Sequence, residues 1–296
     1  MHDKKFNILV TGANGQLGRC LRDAARDSRN RYVFSDISEL QGLESISLDI
    51  TNRDAVDIVA DSENIDVIIN CAGYTNVDRA EDETYLADLL NNVAAGNLAA
   101  AARRRDALLI HISTDYIFSG EANTPIREDC TPAPLGVYGA TKLAGEKAVL
   151  SSACRSIIIR TAWMYSEYGR NFVKTMLSLA ESHPALKVVC DQVGTPTYAR
   201  DLAGFIVEII DGGKTDRTGI YNYTGEGVCS WYDFAVNILA LGAPGCKVNP
   251  CRSADYPTRA RRPHYSVLDK SKAKAAFGID IPHWTLSLKE CISRLK

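Results

Sequence analysis

The chain of 296 residues can bury on the order of three quarters of the surface an extended chain would expose. Its composition, 46% hydrophobic and 24% charged with 21 glycines and 10 prolines, excludes disordered, collagen-like and low-complexity classes. Thirty-four basic against 36 acidic residues leave a formal net charge of −2, which argues against a globally basic nucleic-acid binder.

Apolar runs at 6–11, 32–37, 67–70, 108–113, 156–160 and 187–190 predict strands, and stretches at 16–26, 53–61, 85–104, 138–150, 172–182 and 202–210 carry helical spacing. Such alternation implies parallel strands joined by crossover helices, hence a doubly wound α/β sheet. Beyond about residue 190 the rhythm loosens. Pro196, Pro244, Pro250, Pro257, Pro263 and Pro282 interrupt helix-like pieces, which suits a smaller lobe covering an active site. The expected division is a core over 1–160 and a lobe over 161–296, with some segments returning to the core.

No run approaches the roughly 18 apolar residues of a membrane span, and no signal peptide fits the opening residues. Nine single cysteines form no CxxC pair. A reduced, cytoplasmic protein with no membrane partner is expected. Cys71 and Cys190 adjoin strand-like runs and read as buried small hydrophobes. Arg103, Arg104 and Arg105 end a long helix, where cations suit the dipole. Arg259, Arg261 and Arg262, in a proline-flanked loop, read either as a solvated loop or as an anion site.

Directly after the first strand, Gly12-Ala13-Asn14-Gly15-Gln16-Leu17-Gly18 opens a helix. Gly12 allows the tight turn, Gly15 lets the backbone approach a pyrophosphate, and Gly18 lets helix and strand pack closely. Asp36 ends the second strand, where a carboxylate would accept hydrogen bonds from ribose hydroxyls. No arginine follows it before Arg53, so a 2′-phosphate would be repelled and NADH favoured over NADPH.

Tyr138 and Lys142 form a YxxxK pair, which a helix places on one face. A nearby cation favours phenolate and so eases proton delivery by a phenol whose ordinary pKa is about 10. Before them, His111 to Tyr116 sits at the end of an apolar strand, where open parallel sheets face their ligands. Ser113 and Thr114 are therefore candidates to hydrogen-bond a substrate carbonyl, while His111, flanked by isoleucines, reads as structural. No zinc-type His/Cys spacing and no GxSxG elbow is present.

With the segments GANGQLG, NCAGYTNVDRAED, STDYIFSG, YGATKLAGEKAV, RTAWMYSEYGRNFVKTML, DQVGTPTYARDLA, SWYDFA and YPTRARRPHYSVLD, the chain resembles the dTDP-4-dehydrorhamnose reductases of the extended short-chain dehydrogenase/reductase superfamily almost end to end. The resemblance implies a Rossmann-type core with a C-terminal substrate-binding lobe. It also implies hydride transfer from NADH or NADPH to C4 of a nucleotide-linked 4-dehydro sugar. Tyr138 would be the proton donor, Lys142 would hold the nicotinamide ribose and lower the Tyr138 pKa, and Thr114 would polarise the ketone.

Implied cofactor contacts are Gly15, Gln16, Leu17, Asp36, Asp49, Ile50, Gly73, Tyr74, Thr75, Ile112, Tyr138 and Lys142; implied sugar contacts are Thr114, Asp115, Trp163 and Asn171. Some relatives hold Mg²⁺ at a dimer interface through acidic side chains. Cys20 and Arg200 stand at two of those positions, so no metal is expected, and the homodimer that the resemblance implies would not rest on that metal-bridged contact. The competing readings are a non-catalytic, NADP-binding regulatory subunit like the beta subunit of methionine adenosyltransferase, and a nucleotide-sugar epimerase.

Overall fold

The computed structural model describes residues 5–295. In chain order the first half comprises β1 (Asn7–Thr11), α1 (Gln16–Ala24), β2 (Arg31–Asp36), β3 (Ile46–Ser47), α2 (Arg53–Ser62), β4 (Val67–Asn70), α3 (Val77–Ala80), α4 (Thr84–Asp88), a π-helical turn (Leu89–Val93), α5 (Ala94–Arg105), β5 (Leu108–Thr114), α6 (Val137–Ser151) and β6 (Arg155–Thr161). There follow β7 (Met164–Tyr165), α7 (Phe172–Ala180), β8 (Ala185–Val189), β9 (Val193–Gly194), β10 (Thr197–Tyr198), α8 (Ala199–Asp211), β11 (Gly219–Asn222), β12 (Cys229–Ser230), α9 (Trp231–Gly242), β13 (Lys247–Cys251), α10 (Ser271–Phe277) and α11 (Trp284–Leu295).

Seven strands pair in the order β11-β6-β5-β4-β1-β2-β3, all parallel. Every position of β4 and β5 is buried, which accounts for their consecutive apolar residues Val67 to Ile69 and Leu108 to Ile110. Side chains alternate between the two faces. Ile8, Val10, Ile69 and Ile110 pack under α1, α8 and α10; Leu9, Ile68 and Leu109 pack under α2 and α5. Helices thus cover both sides of a doubly wound sheet, and β1 lies at the point where the strand order reverses.

The run at 187–190 departs from the expected sheet. It falls in β8, which pairs with β13 outside the central sheet. Only alternate residues of β8 are buried, Leu186 and Val188, as suits a strand with one covered face. Cys190, just beyond its end, is exposed rather than buried, and Cys71 is half-buried. The outer place beside β6 goes instead to β11, which the apolar runs did not announce. β7 to β10, β12 and β13, with α7, α9 and α11, surround a separate apolar cluster of Tyr165, Val173, Phe234, Ile238, Trp284 and Leu288. α8, β11 and α10 pack instead with the central sheet.

The basic end of α5 reaches α2, where Arg104 pairs with Asp57 and Asp61 and Arg105 with Asp61. The 259–262 loop is also paired: Arg262 grips Asp78 at 2.7 Å, and Arg259 reaches Asp82. Among the described residues no helix is long and apolar enough to cross a membrane.

Gly18 is where α1 presses closest to the loop after β1. A Cβ there would lie 2.5 Å from both Ala13 Cα and the Gly12 carbonyl oxygen. Gly18→Ala is therefore expected to cost about 1–3 kcal/mol, the range for overpacking. Urea denaturation checks this; an unshifted midpoint would show that the loop yields freely.

Candidate active site

A cleft of about 850 Å³ runs along the carboxyl ends of the strands and is lined by loops following β1, β2, β4, β5 and β6. At one end, Gly12 takes a left-handed φ of 66°, and a Cβ there would stand 2.6 Å from the Ala72 backbone nitrogen. The loop therefore lies flat against the turn after β4. Gly15 caps α1 in an extended conformation with no side-chain hydrogen bond, so first-turn N–H groups are left for a ligand. This bare, nine-residue helix start beside a flat glycine loop fits a dinucleotide pyrophosphate.

Asp36 stands at the rim, half-buried, accepting hydrogen bonds from the Asn14 and Ser38 backbone N–H groups, each at 3.0 Å. Its neighbourhood holds a cation that looking downstream of Asp36 misses. Arg22, from α1, lies over the Phe34 ring at 4.0 Å, donates to Ser45 Oγ at 2.6 Å and interacts electrostatically with Asp36. A cation thus stands near this carboxylate although no arginine follows it before Arg53. Asp49 lines the same end, with one oxygen engaged by the backbone N–H and hydroxyl of Thr51; Ile50 is buried behind it.

At the centre, α6 presents Tyr138 and Lys142 to the cleft. The Lys142 ammonium donates to the Ile112 carbonyl at 2.6 Å, and burial brings its pKa down to about 8 against the opposing pull of Glu146. Burial pushes the Tyr138 phenol up to about 12, with hydrogen bonding to Thr114 working against it. Burial and the nearby Asp115 carboxyl raise this phenol, Lys142 is not among the groups that shift it, and it stays protonated at neutral pH. Thr114, buried at the end of β5, donates to Asp115 Oδ1 at 3.1 Å. Asp115 is 1% exposed, its Oδ2 has no partner, and burial holds its carboxyl up at about 6.

The far end is aromatic. Trp163 stacks on Trp231 with centroids 3.7 Å apart and planes 12° from parallel, and both indoles line the cleft. Trp163 holds a left-handed φ of 48°, a strained state for a bulky residue. Gly194 packs against its indole, where a Cβ would stand 2.8 Å from Cζ2.

Of the candidate residues, Gly12, Gly15, Gln16, Leu17, Gly73, Tyr74, Thr75 and Ile112 also line the cleft, whereas Gly18 and Asn171 do not. Gly18 is spent on packing. Asn171 caps α7 by accepting from the Lys174 N–H, and its amide donates to Gln16 Oε1 at 3.0 Å. The Ser113 hydroxyl is engaged by Glu146 at 2.5 Å rather than free for a ketone. His111 is buried, neutral, and bonded through Nδ1 to the Asn70 amide.

Other lining residues were not among the candidates. Trp231 lies in the SWYDFA segment, but no role was assigned to it there. Asn91 sits in the π-helical turn and accepts from the Tyr74 N–H while donating to Tyr74 O and Thr141 Oγ1. Among the described residues, no group of three or more His, Cys, Asp or Glu side chains could hold a metal. At the two positions singled out in the sequence, Cys20 is buried and Arg200 bridges Asp23 and Glu167 at 2.7 and 2.6 Å.

Comparison with known proteins adds a family. Residues 6–296 match the family described as RmlD substrate binding domain. A dTDP-4-dehydrorhamnose reductase of Aggregatibacter actinomycetemcomitans is 44% identical over 95% of this chain and 97% of its own. One from Mycolicibacterium smegmatis is 42% identical over 97% of this chain and 85% of its own. The crystal structure of the Bacillus anthracis dTDP-4-dehydrorhamnose reductase in complex with NADP superposes with a TM-score of 0.91 at 35% identity, covering 98% of this chain and 100% of that one.

The Asp115 carboxyl has a stability signature. Its pKa rises from 3.8 unfolded to about 6 folded, so the folded state holds the extra proton between those values. Stability from this group is therefore lost as pH climbs through that window and stays lost above it, a penalty of about 3 kcal/mol at neutral pH. Asp115→Asn should raise Tm at pH 7.5 and leave it nearly unchanged at pH 3.5. Thermal unfolding at the two pH values checks this, and equal effects at both would refute the burial penalty.

Proposed function

The chain belongs to the dTDP-4-dehydrorhamnose reductase family, and on that premise we propose that it reduces dTDP-4-dehydro-β-L-rhamnose to dTDP-β-L-rhamnose with NAD(P)H. The observation that carries this reading is one cleft joining an uncapped glycine-loop helix, the Thr114–Tyr138–Lys142 group and an indole stack. The relatives named as reductases support turnover rather than the non-catalytic regulatory role. We further propose a cytoplasmic enzyme acting as a homodimer.

In this scheme Gly15, Gln16 and Leu17 hold the cofactor pyrophosphate, Asp36 the adenosine ribose, and Tyr138 and Lys142 the nicotinamide ribose. Asp49, Ile50, Gly73, Tyr74, Thr75 and Ile112 line the remaining cofactor surface. When bound, the dinucleotide supplies the hydride that reaches C4. Thr114 turns its hydroxyl from Asp115 to the C4 oxygen and polarises the ketone. Tyr138, kept protonated by burial, gives its proton to that oxygen as charge develops there. The Lys142 ammonium, one turn along α6, stabilises the phenolate left behind. Asp115 Oδ2 accepts from a sugar hydroxyl, and the Trp163 indole covers an apolar face of the deoxy sugar. Asp36 favours NADH, and Arg22 moderates that preference.

Supplying the purified protein with dTDP-4-dehydro-β-L-rhamnose and either NADH or NADPH tests the reading through cofactor absorbance and product identity. A product other than dTDP-β-L-rhamnose, or no net cofactor oxidation, overturns it. Tyr138→Phe removes one hydroxyl; kcat should fall roughly 10²–10⁴-fold while cofactor affinity holds. Turnover within a few-fold of the parent would exclude Tyr138 as the donor. Asp36→Ala should lower kcat/KM for NADH and raise it for NADPH. An unchanged ratio would remove Asp36 from the ribose site.

A further inference from the structure

Beneath the cleft lies a buried polar cluster that the scheme above leaves unused. Glu146 follows Lys142 by four residues on α6, as Lys142 follows Tyr138, so the three side chains share one face of the helix. Glu146 is 1% exposed. Its Oε1 accepts from the Ser113 hydroxyl at 2.5 Å and from Arg160 Nε at 2.9 Å, and its Oε2 accepts from Arg160 Nη2 at 2.8 Å. Ser113 and Arg160 are register partners on β5 and β6, one position before Thr114 and Thr161. The carboxylate therefore ties the helix bearing Tyr138 to the strand bearing Thr114. Arg160, also buried, spends Nη1 on the Glu128 carbonyl at 2.9 Å.

Apolar side chains of matching volume would pack these elements at lower desolvation cost. They could not direct a negative charge at the neighbouring lysine. The Lys142 ammonium faces Tyr138 and Glu146 on its own helix, Cys71 from the turn after β4, and His111 and the Ile112 carbonyl from β5. Cys71 and His111 are held neutral by burial, so of these groups Glu146, in its ion pair with Arg160, is the charged one.

We propose that Glu146 is a positioning residue for the reaction, keeping Lys142 in its ammonium form and locking the Thr114 strand to the Tyr138 helix. The proposal rests on the reading of Tyr138 and Lys142 as the proton-delivering pair.

Glu146→Gln alone strands the Arg160 charge and will compromise folding. The informative variant is Glu146→Gln combined with Arg160→Met, which removes both charges at similar volume and should fold. Losing the carboxylate lowers the lysine pKa, and the ammonium is the working form, so activity must fail at lower pH. The alkaline limb of the kcat profile should move down by about one pH unit, with kcat at pH 9 reduced about tenfold. NADH Kd at pH 6.5 should be unchanged. Glu146→Asp, which keeps the charge, should restore the parent limb.

The lysine is also read directly, by ¹³C NMR titration of its ε-methylene, assigned with Lys142→Met. This measurement decides the matter even if the 4-dehydro sugar is not turned over, so the failure of one reading is separable from that of the other. A folded double variant in which Lys142 titrates as in the parent overturns the proposal. So does a kcat loss of equal size at every pH.

Discussion

Seven parallel strands covered on both faces leave one edge where each crossover must begin, and the working parts of this protein are crowded along it. Gly12, Asp36, Cys71, Thr114 and Trp163 each lie at or within two residues of a strand end. Their side chains and backbone groups converge because the strands converge, without any need for proximity in sequence. The arrangement depends on burial: β4 and β5 have no exposed position, and sliding either strand by one residue would exchange the two apolar faces. The register that places Ser113 beside Arg160 and Thr114 beside Thr161 is thus set by packing some way from the chemistry.

Against this ordered background the cleft concentrates states that a relaxed chain would avoid. A lysine and a histidine have their charged forms disfavoured, a carboxyl is pushed up to about 6, and an indole sits on left-handed backbone. Each is a local cost borne by the apolar layers above and below. The polar groups that are satisfied form bridges between elements: Asn70 to His111, Asn91 to Tyr74 and Thr141, Glu146 to Ser113 and Arg160.

What could be read from the sequence was what is local in sequence. The glycine loop, the end of β5 and the YxxxK helix each carry their chemistry within a few residues, so spacing and type suffice to find them. Residues that reach the site through space do not announce themselves. Arg22 precedes Asp36 in the chain and meets its neighbourhood only because α1 packs over Phe34. Asn91 faces the cleft from a π-helical turn, a departure from regular helix that 3.6-residue periodicity cannot express. Trp231 begins a helix in a separate lobe. Conversely, Ser113 looked available for a ketone until its partner on a helix 33 residues away came into view. The strand assigned at 187–190 was real, but apolar content alone could not say which sheet would take it.

The indole stack carries a consequence for how this sequence can drift. Trp163, Trp231 and Gly194 are separated by more than thirty residues along the chain yet occupy one volume. A methyl group at 194 would displace the first ring, and a smaller side chain at 231 would leave that ring without its stacking surface on a backbone that has little reason to stay left-handed. Each position is tolerable only in the company of the other two. Descendants of this chain must keep all three or replace them together, so this end of the cleft evolves in steps, while the exposed rim beside it is free to change one residue at a time.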